Sequence, residues 1–220
     1  MVYYVHLLKG LLAPQILFFQ LGKAEEIRGI WKRAAILVFL SVLLFSLSSF
    51  LGLGMDFLSK EIVEISKQEL EAKKSLVWMG QMIWGLSYAL LVIFGVSLVL
   101  WALLDMQYKK IVVIQLFVLC IYLLEKIILL PIRVSFGIGP ESSPLSLGVI
   151  AQYVTANTIV FYTISHLSIF KIWAIFFQYK GLKGLSDKNP KIVLLLIVVV
   201  NLFIWLTSAL LSYLKFERLI

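Results

Sequence analysis

Four ionisable side chains sit where a membrane would leave little room for them. Glu125 and Lys126 interrupt the run LCIYLLEKIILL, and His166 and Lys171 interrupt TISHLSIFKIW. An ionisable group in a membrane-spanning helix costs about 2.5–3.5 kcal/mol on insertion scales, so it must face the interior of a bundle or a water-filled space. A carboxylate and an imidazole near each other at that depth can hold a proton, form a buried pair or bind a polar ligand. His166 and Lys171, five residues apart, are about 140° apart around the helix. They are therefore expected to serve different surroundings: His166 the interior, Lys171 the cytoplasmic boundary, where a long side chain reaches water. Glu125 is expected about 6 Å outward of the midplane with His166 close to it, which makes them the favoured pair. Glu125 and Lys126, adjacent in sequence, do not face each other.

The elements that must position these groups are legible in composition. Of 220 residues, 61% are hydrophobic and 15% charged, and the mean hydropathy is +0.99. Soluble domains carry about a quarter charged residues, so the composition is that of an integral membrane protein. The expected class is all-α: a polytopic helical bundle with interfacial amphipathic helices, forming one transmembrane domain over residues 1–220. A crossing needs about 20 mostly apolar residues. Five segments meet this, at about 34–53, 76–104, 111–132, 155–178 and 192–214.

Residues 1–32 are expected to lie in the cytoplasmic interface as one or two short helices, with Pro14 in a first helical turn. Residues 54–75 carry Leu58, Ile62, Ile65 and Ala72 at helical spacing among lysines and glutamates, the pattern of an amphipathic helix on the outer surface. Charge sets direction. With the N-terminus inside, the cytoplasmic pieces hold eleven basic residues against four acids, and the outer pieces seven of each. The positive-inside rule then gives N-in, C-out. The cytoplasmic basic surface is centred on Lys109, Lys110, Lys180, Lys183 and Lys188, placed to meet anionic lipid headgroups. This explains the basic balance without nucleic acid.

Helical phase groups the polar residues of the last four spans into stripes. They are Gln81, Trp84, Tyr88 and Gly95; then Gln115, Tyr122, Glu125 and Lys126; then Gln152, Thr155, Tyr162 and His166 with Thr158 beside them; and Asn201, Trp205, Ser208 and Ser212. Turned toward one another they would form a polar pocket lined by Gln81, Tyr88, Tyr122, Glu125, Thr158, Tyr162, His166, Asn201 and Ser208. No paired-acid, HExxH-type or nucleophile–histidine pattern appears, so no enzyme is expected. With two histidines and one cysteine, Cys120, neither a metal site nor a cofactor is expected.

The stretch LSIFKIWAIFFQYKGLKGLSDKNPKIV, residues 167–193, resembles the signature of the Ypt-interacting-protein (Yip) domain family: an aromatic, two spacers and a tryptophan (Phe170 and Trp173), then an apolar run, a glycine loop and lysines before the last span. LLAPQILFFQLGK, residues 11–23, is similar to the proline-containing lead-in of bacterial members. Five spans, N-in and C-out, fit the same layout. Family members often carry an acid two positions before the aromatic, where this chain has Ser168. The resemblance implies a non-enzymatic membrane adaptor, assembly or trafficking-type factor in a bacterial plasma membrane. Its partners would be membrane lipids, together with another membrane protein or further copies of itself. The alternative from the polar stripes is a small permease, lipid carrier or transport-complex subunit with a pocket open to the outer face.

Overall fold

The computed structural model describes residues 1–53, 66–139, 143–155 and 157–214. In chain order these form β1 (Val2–Tyr4), α1 (Leu7–Leu12), α2 (Pro14–Lys23), β2 (Glu26–Arg28), α3 (Ile30–Phe50), α4 (Lys67–Leu90), a π-helical turn (Leu91–Gly95), α5 (Val96–Leu104), α6 (Tyr108–Phe136), α7 (Gly148–Val154), α8 (Thr158–Ser165), α9 (Ile169–Lys183) and α10 (Pro190–Leu214). Four runs are long and apolar enough to cross a membrane: Ile30–Phe50, Lys67–Leu104, Tyr108–Phe136 and Pro190–Leu210. The chain is an all-α membrane protein.

Local chemistry sets the helix ends. Ser66 and Glu69 form a reciprocal capping box that starts α4, satisfying two of the backbone N–H groups a helix start leaves open. Asp105 ends α5 in the left-handed region at φ +54°. Gly137 ends α6 in the same region without a Cβ penalty. Pro190 opens α10, where its missing N–H costs nothing. Helix α6 is the centre of the fold. Residues 111–119 are buried without a break, while other helices keep one face apolar and exposed, as Phe39 on α3 and Phe203 on α10 do.

Three expectations need revising. Of the outer amphipathic helix at 54–75, residues 54–65 lie outside the described ones, and residues 67–75 continue unbroken into α4. The stretch expected as one crossing helix over 155–178 is not one helix: it holds α8 and α9, separated by a non-helical joint at residues 166–168. There Ser146 faces Ser168 in an antiparallel bridge; Leu147 N–H donates to Leu167 O at 2.9 Å and Ile169 N–H to Leu145 O at 3.2 Å. Capping residues cause the break. Ser168 Oγ accepts the N–H of Lys171 at 3.2 Å, and Ser165 Oγ donates to Phe161 O at 2.8 Å, so local side chains compete with the helical ladder. Gln152 lies in α7, which ends at Val154, so it is on a different helix from Tyr162 of α8.

The third revision concerns the N-terminal segment. Its two short helices form as expected, but β1 and β2 bracket them as a parallel pair, Tyr3 opposite Ile27. The inner face of the unit packs on the bundle. A Cβ on Gly10 would lie 2.5 Å from the Phe117 ring, and Phe117 is about 13 Å along α6 from Tyr108. Phe18 meets Phe177 edge-on at 5.0 Å, while Lys110 Nζ holds the far end of α2 by donating to Gly22 O at 3.1 Å. Leu8 and Leu12, 78% and 86% exposed, cover the outward side. The hairpin thus has one face on the core and the other bare and apolar. At the same end of the bundle Lys188 pairs with Asp105 at 2.9 Å, joining the α9–α10 connection to the end of α5.

Candidate functional site

The interior polar groups form a chain of contacts across α6, α9 and α10. Gln178 Nε2 donates to Gln115 Oε1 at 3.2 Å. Asn201 Nδ2 donates to Gln178 Oε1 at 2.8 Å and to Ile197 O at 2.8 Å. Tyr122 O–H reaches Asn201 Oδ1 at 3.5 Å. Gln115, Gln178 and Asn201 are all buried, and the Nε2 of Gln115 has no partner among the described residues. Each amide sits among apolar side chains, where an unmade hydrogen bond is expensive, so the three helices are held in one register.

At its other end this chain meets charge. Glu125 is half-buried and its carboxylate acts electrostatically on Tyr88, Tyr122, Lys126 and Lys171. Tyr88 packs on Phe45 of α3 with ring centroids 5.6 Å apart, and the Lys126 ammonium sits 3.7 Å over the same Phe45 ring. Lys171 donates to the carbonyl oxygen of His166 across the α8–α9 joint, with Nζ 5.9 Å from the Trp205 ring centroid. His166 Nδ1 lies 2.8 Å from Tyr162 O. The expectation that Lys171 faces away from His166 toward the cytoplasmic boundary is therefore wrong: the 140° separation presumes one helix, and the joint removes it. Lys171 turns inward and belongs with Glu125.

Other predicted residues divide. Tyr88, Tyr122 and Asn201 come together through the contacts above. Gln81 is half-buried, while Trp84, from the same stripe, is 52% exposed. The inward position on that turn is Gly85, whose carbonyl accepts Ser41 Oγ at 2.8 Å and where a Cβ would lie 3.1 Å from Val42 Cα. Gly95, predicted on the same stripe, is exposed, because the π turn before it shifts helical phase. Ser208 Oγ returns to its own helix at Ile204 O, 2.9 Å. The side chain of Thr158 lies outside the described residues. Gln178 was not predicted; the signal was a lone amide in AIFFQYK, four residues beyond the buried Ala174.

Within the basic surface Lys109 is exposed, while Lys110 and Lys188 hold connections together. Lys180 lies over Phe176 at 4.4 Å and Lys183 over Tyr179 at 5.2 Å. Beside Lys109 opens a cleft of about 310 Å³ lined by Glu25, Glu26, Ile27, Arg28 and Gln107. A second, of about 220 Å³, lies at the other end between Leu51, Gly52, Leu53 and Arg133, Val134, Gly137. Among the described residues no group of three or more His, Cys, Asp or Glu side chains could hold a metal ion. Comparison with protein-family models, with curated proteins and with solved structures finds no match.

Proposed function

We propose that this chain is a non-enzymatic multi-pass membrane protein of the Yip-like class, acting as an adaptor or assembly factor in a bacterial plasma membrane. The observation that carries this reading is that the buried amides are used on one another. Gln115, Gln178 and Asn201 lock α6, α9 and α10 together, and neither cleft is lined by Glu125 or by any of these amides. In this reading the bundle presents its outward helix faces and its basic end to partners. Five crossings, N-in and C-out, are supported by the contacts that gather the N-terminal unit, the α5–α6 connection and the α9–α10 connection at one end, with α8–α9 as the fourth crossing. Ser168 is where the chain departs from the Yip pattern. As the N-cap of α9 it occupies a position where an aspartate would serve equally, so the departure from the family pattern preserves the cap.

Cross-linking in native membranes, with photoreactive residues at Trp84 and Phe203, tests the adaptor reading. A discrete protein adduct is expected; lipid adducts alone at both positions would overturn it. Cysteines at Lys109 and Asp187 should react with an impermeant thiol reagent from one side of the membrane, and one at Gln68 from the other. Transport is a second reading, favoured by the broken crossing at His166, since discontinuous helices line the substrate sites of many carriers. Glu125→Gln and His166→Ala variants that accumulate normally yet lose function would favour it over the adaptor.

A further inference from the structure

Strand β2 is paired along one edge only. Among the described residues the sheet has two strands, with Tyr3 opposite Ile27. Val5 N–H donates to Arg28 O at 3.3 Å, so Arg28 turns its backbone groups toward β1, and the alternation along a strand turns those of Ile27 the other way. Nothing outside the sheet bonds to the N–H or C=O of Ile27 among the described residues. The cleft beside Lys109 runs along this open edge. Its lining takes in Glu25, Glu26, Ile27 and Arg28 in succession and no residue of β1. A cleft over one face of a strand would meet alternate residues; consecutive ones mark the edge. The opposite wall is Gln107 and Lys109, where α6 begins. A space of about 310 Å³ has room for a few residues of extended chain, three of which span about 10 Å.

Charge decides what kind of segment fits. Both carboxylates of the cleft are engaged: Glu25 accepts from the terminal amine at 3.0 Å and Glu26 from Arg28 at 3.1 Å. Lys109 is exposed, and its ammonium has no hydrogen bond or ion pair among the described residues. On the same wall Gln107 gives α6 no side-chain cap, so the first N–H groups of that helix add to the positive potential. The charge left over in the cleft is therefore positive. We propose that the cleft docks an extended, acidic segment of a partner protein, added to the open edge of β2 with a carboxylate on Lys109. Main-chain bonds to Ile27 hold the segment and Lys109 selects its acid, the division of labour in strand addition to a sheet edge. This names the kind of partner that the adaptor reading leaves open and rests on that reading. Peptide binding to the purified chain involves neither Trp84 nor Phe203, so the two can fail separately.

The test uses the full chain in neutral detergent and fluorescent pentapeptide pools whose central residue is fixed as Glu, Gln or Lys, read by polarisation. Saturable binding is expected, tightest for the Glu pool and weakest for the Lys pool. Lys109→Gln should weaken the Glu pool roughly threefold to fivefold, the scale of a partly exposed charge pair. Lys109→Glu should turn the preference toward the Lys pool. Lys109 is exposed, so both variants should melt with the parent. A Glu pool N-methylated at alternate peptide bonds should lose most of its binding, which a purely electrostatic contact would not. No saturable binding of the Glu pool, no preference between Glu and Lys, or an N-methylated pool that binds as well as its parent would overturn the proposal. Phosphatidylglycerol vesicles that bind through Lys109 where no peptide does would make the cleft a headgroup site. Self-association lost in Lys109→Glu would make the occupant a second copy. Either result also overturns it.

Discussion

Asn201 on α10 and Gln178 on α9 share a 2.8 Å hydrogen bond from Nδ2 to Oε1, and through it two helices that the chain joins only by a short loop are also joined at their buried faces. Asn201 makes a second bond to Ile197 O, so both of its amide hydrogens are used. The contact fixes the rotation of α10 about its axis.

Asn201→Ala should lower stability by about 1–3 kcal/mol, because Gln178 is left buried with an unfilled acceptor. A double-mutant cycle with Gln178→Ala should give a coupling of roughly 0.6 to 1.7 kcal/mol, the range for hydrogen bonds between membrane helices. Reversible unfolding in mixed micelles measures it, and zero coupling would show that the two amides act independently.

Gly10→Ala should cost about 1–3 kcal/mol. The added methyl would meet the Phe117 ring at 2.5 Å, and that ring is fully buried and stacked on Phe177 at 5.4 Å, so it has nowhere to move. Pairing the change with Phe117→Leu should restore most of the loss in a thermal melt. Gly184 offers the contrast: nothing lies within 4 Å of its Cβ position, its φ is −83°, and Gly184→Ala should stabilise by about 0.4–1 kcal/mol.

Asp105 carries two roles that substitutions can separate. Its carboxylate pairs with Lys188 at 2.9 Å, with the two side chains 79% and 36% exposed, a setting worth no more than about 1 kcal/mol. Its backbone is left-handed, a conformation that costs a β-branched residue about 1–2 kcal/mol. Asp105→Gly should therefore fall within about 1 kcal/mol of the parent and Asp105→Val well below it, as chemical denaturation would read.

Alkaline pH should loosen the N-terminal unit. Burial pushes the Tyr3 phenol up to about 12 from an ordinary 10, so the folded state holds this proton more tightly than the unfolded one. The stabilisation is complete below pH 10 and is lost as pH rises through about 12. Phenolate absorbance should show a late-titrating component that shrinks by one tyrosine in Tyr3→Phe.

The uninterrupted helices were the legible part of this fold. The apolar runs of α3, α6 and α10 are long enough to be read by length alone, and phase arithmetic brought Gln115, Tyr122 and Asn201 to a common interior because each lies on an unbroken stretch. The same arithmetic failed where that premise failed. Ser165, His166 and Ser168 end one helix and cap another, yet a hydropathy average counts apolar content and registers no caps. Lys171 was therefore assigned to the wrong side. The π turn at Leu91–Gly95 moved Gly95 off its predicted face in the same way. The parallel β1–β2 pair, three residues long in each strand, falls below any period a sequence can display.

The seating of the N-terminal hairpin on α6 and α9 has a consequence for biogenesis. Gly10 and Phe18 leave the ribosome well before their docking partners Phe117 and Phe177, which come roughly 100 and 160 residues later, about 5–35 s at ordinary elongation rates. During that interval Leu17 and Leu21, buried in the finished fold, have no seat. The hairpin must wait in the bilayer or under a chaperone until α6 and α9 have been made and inserted.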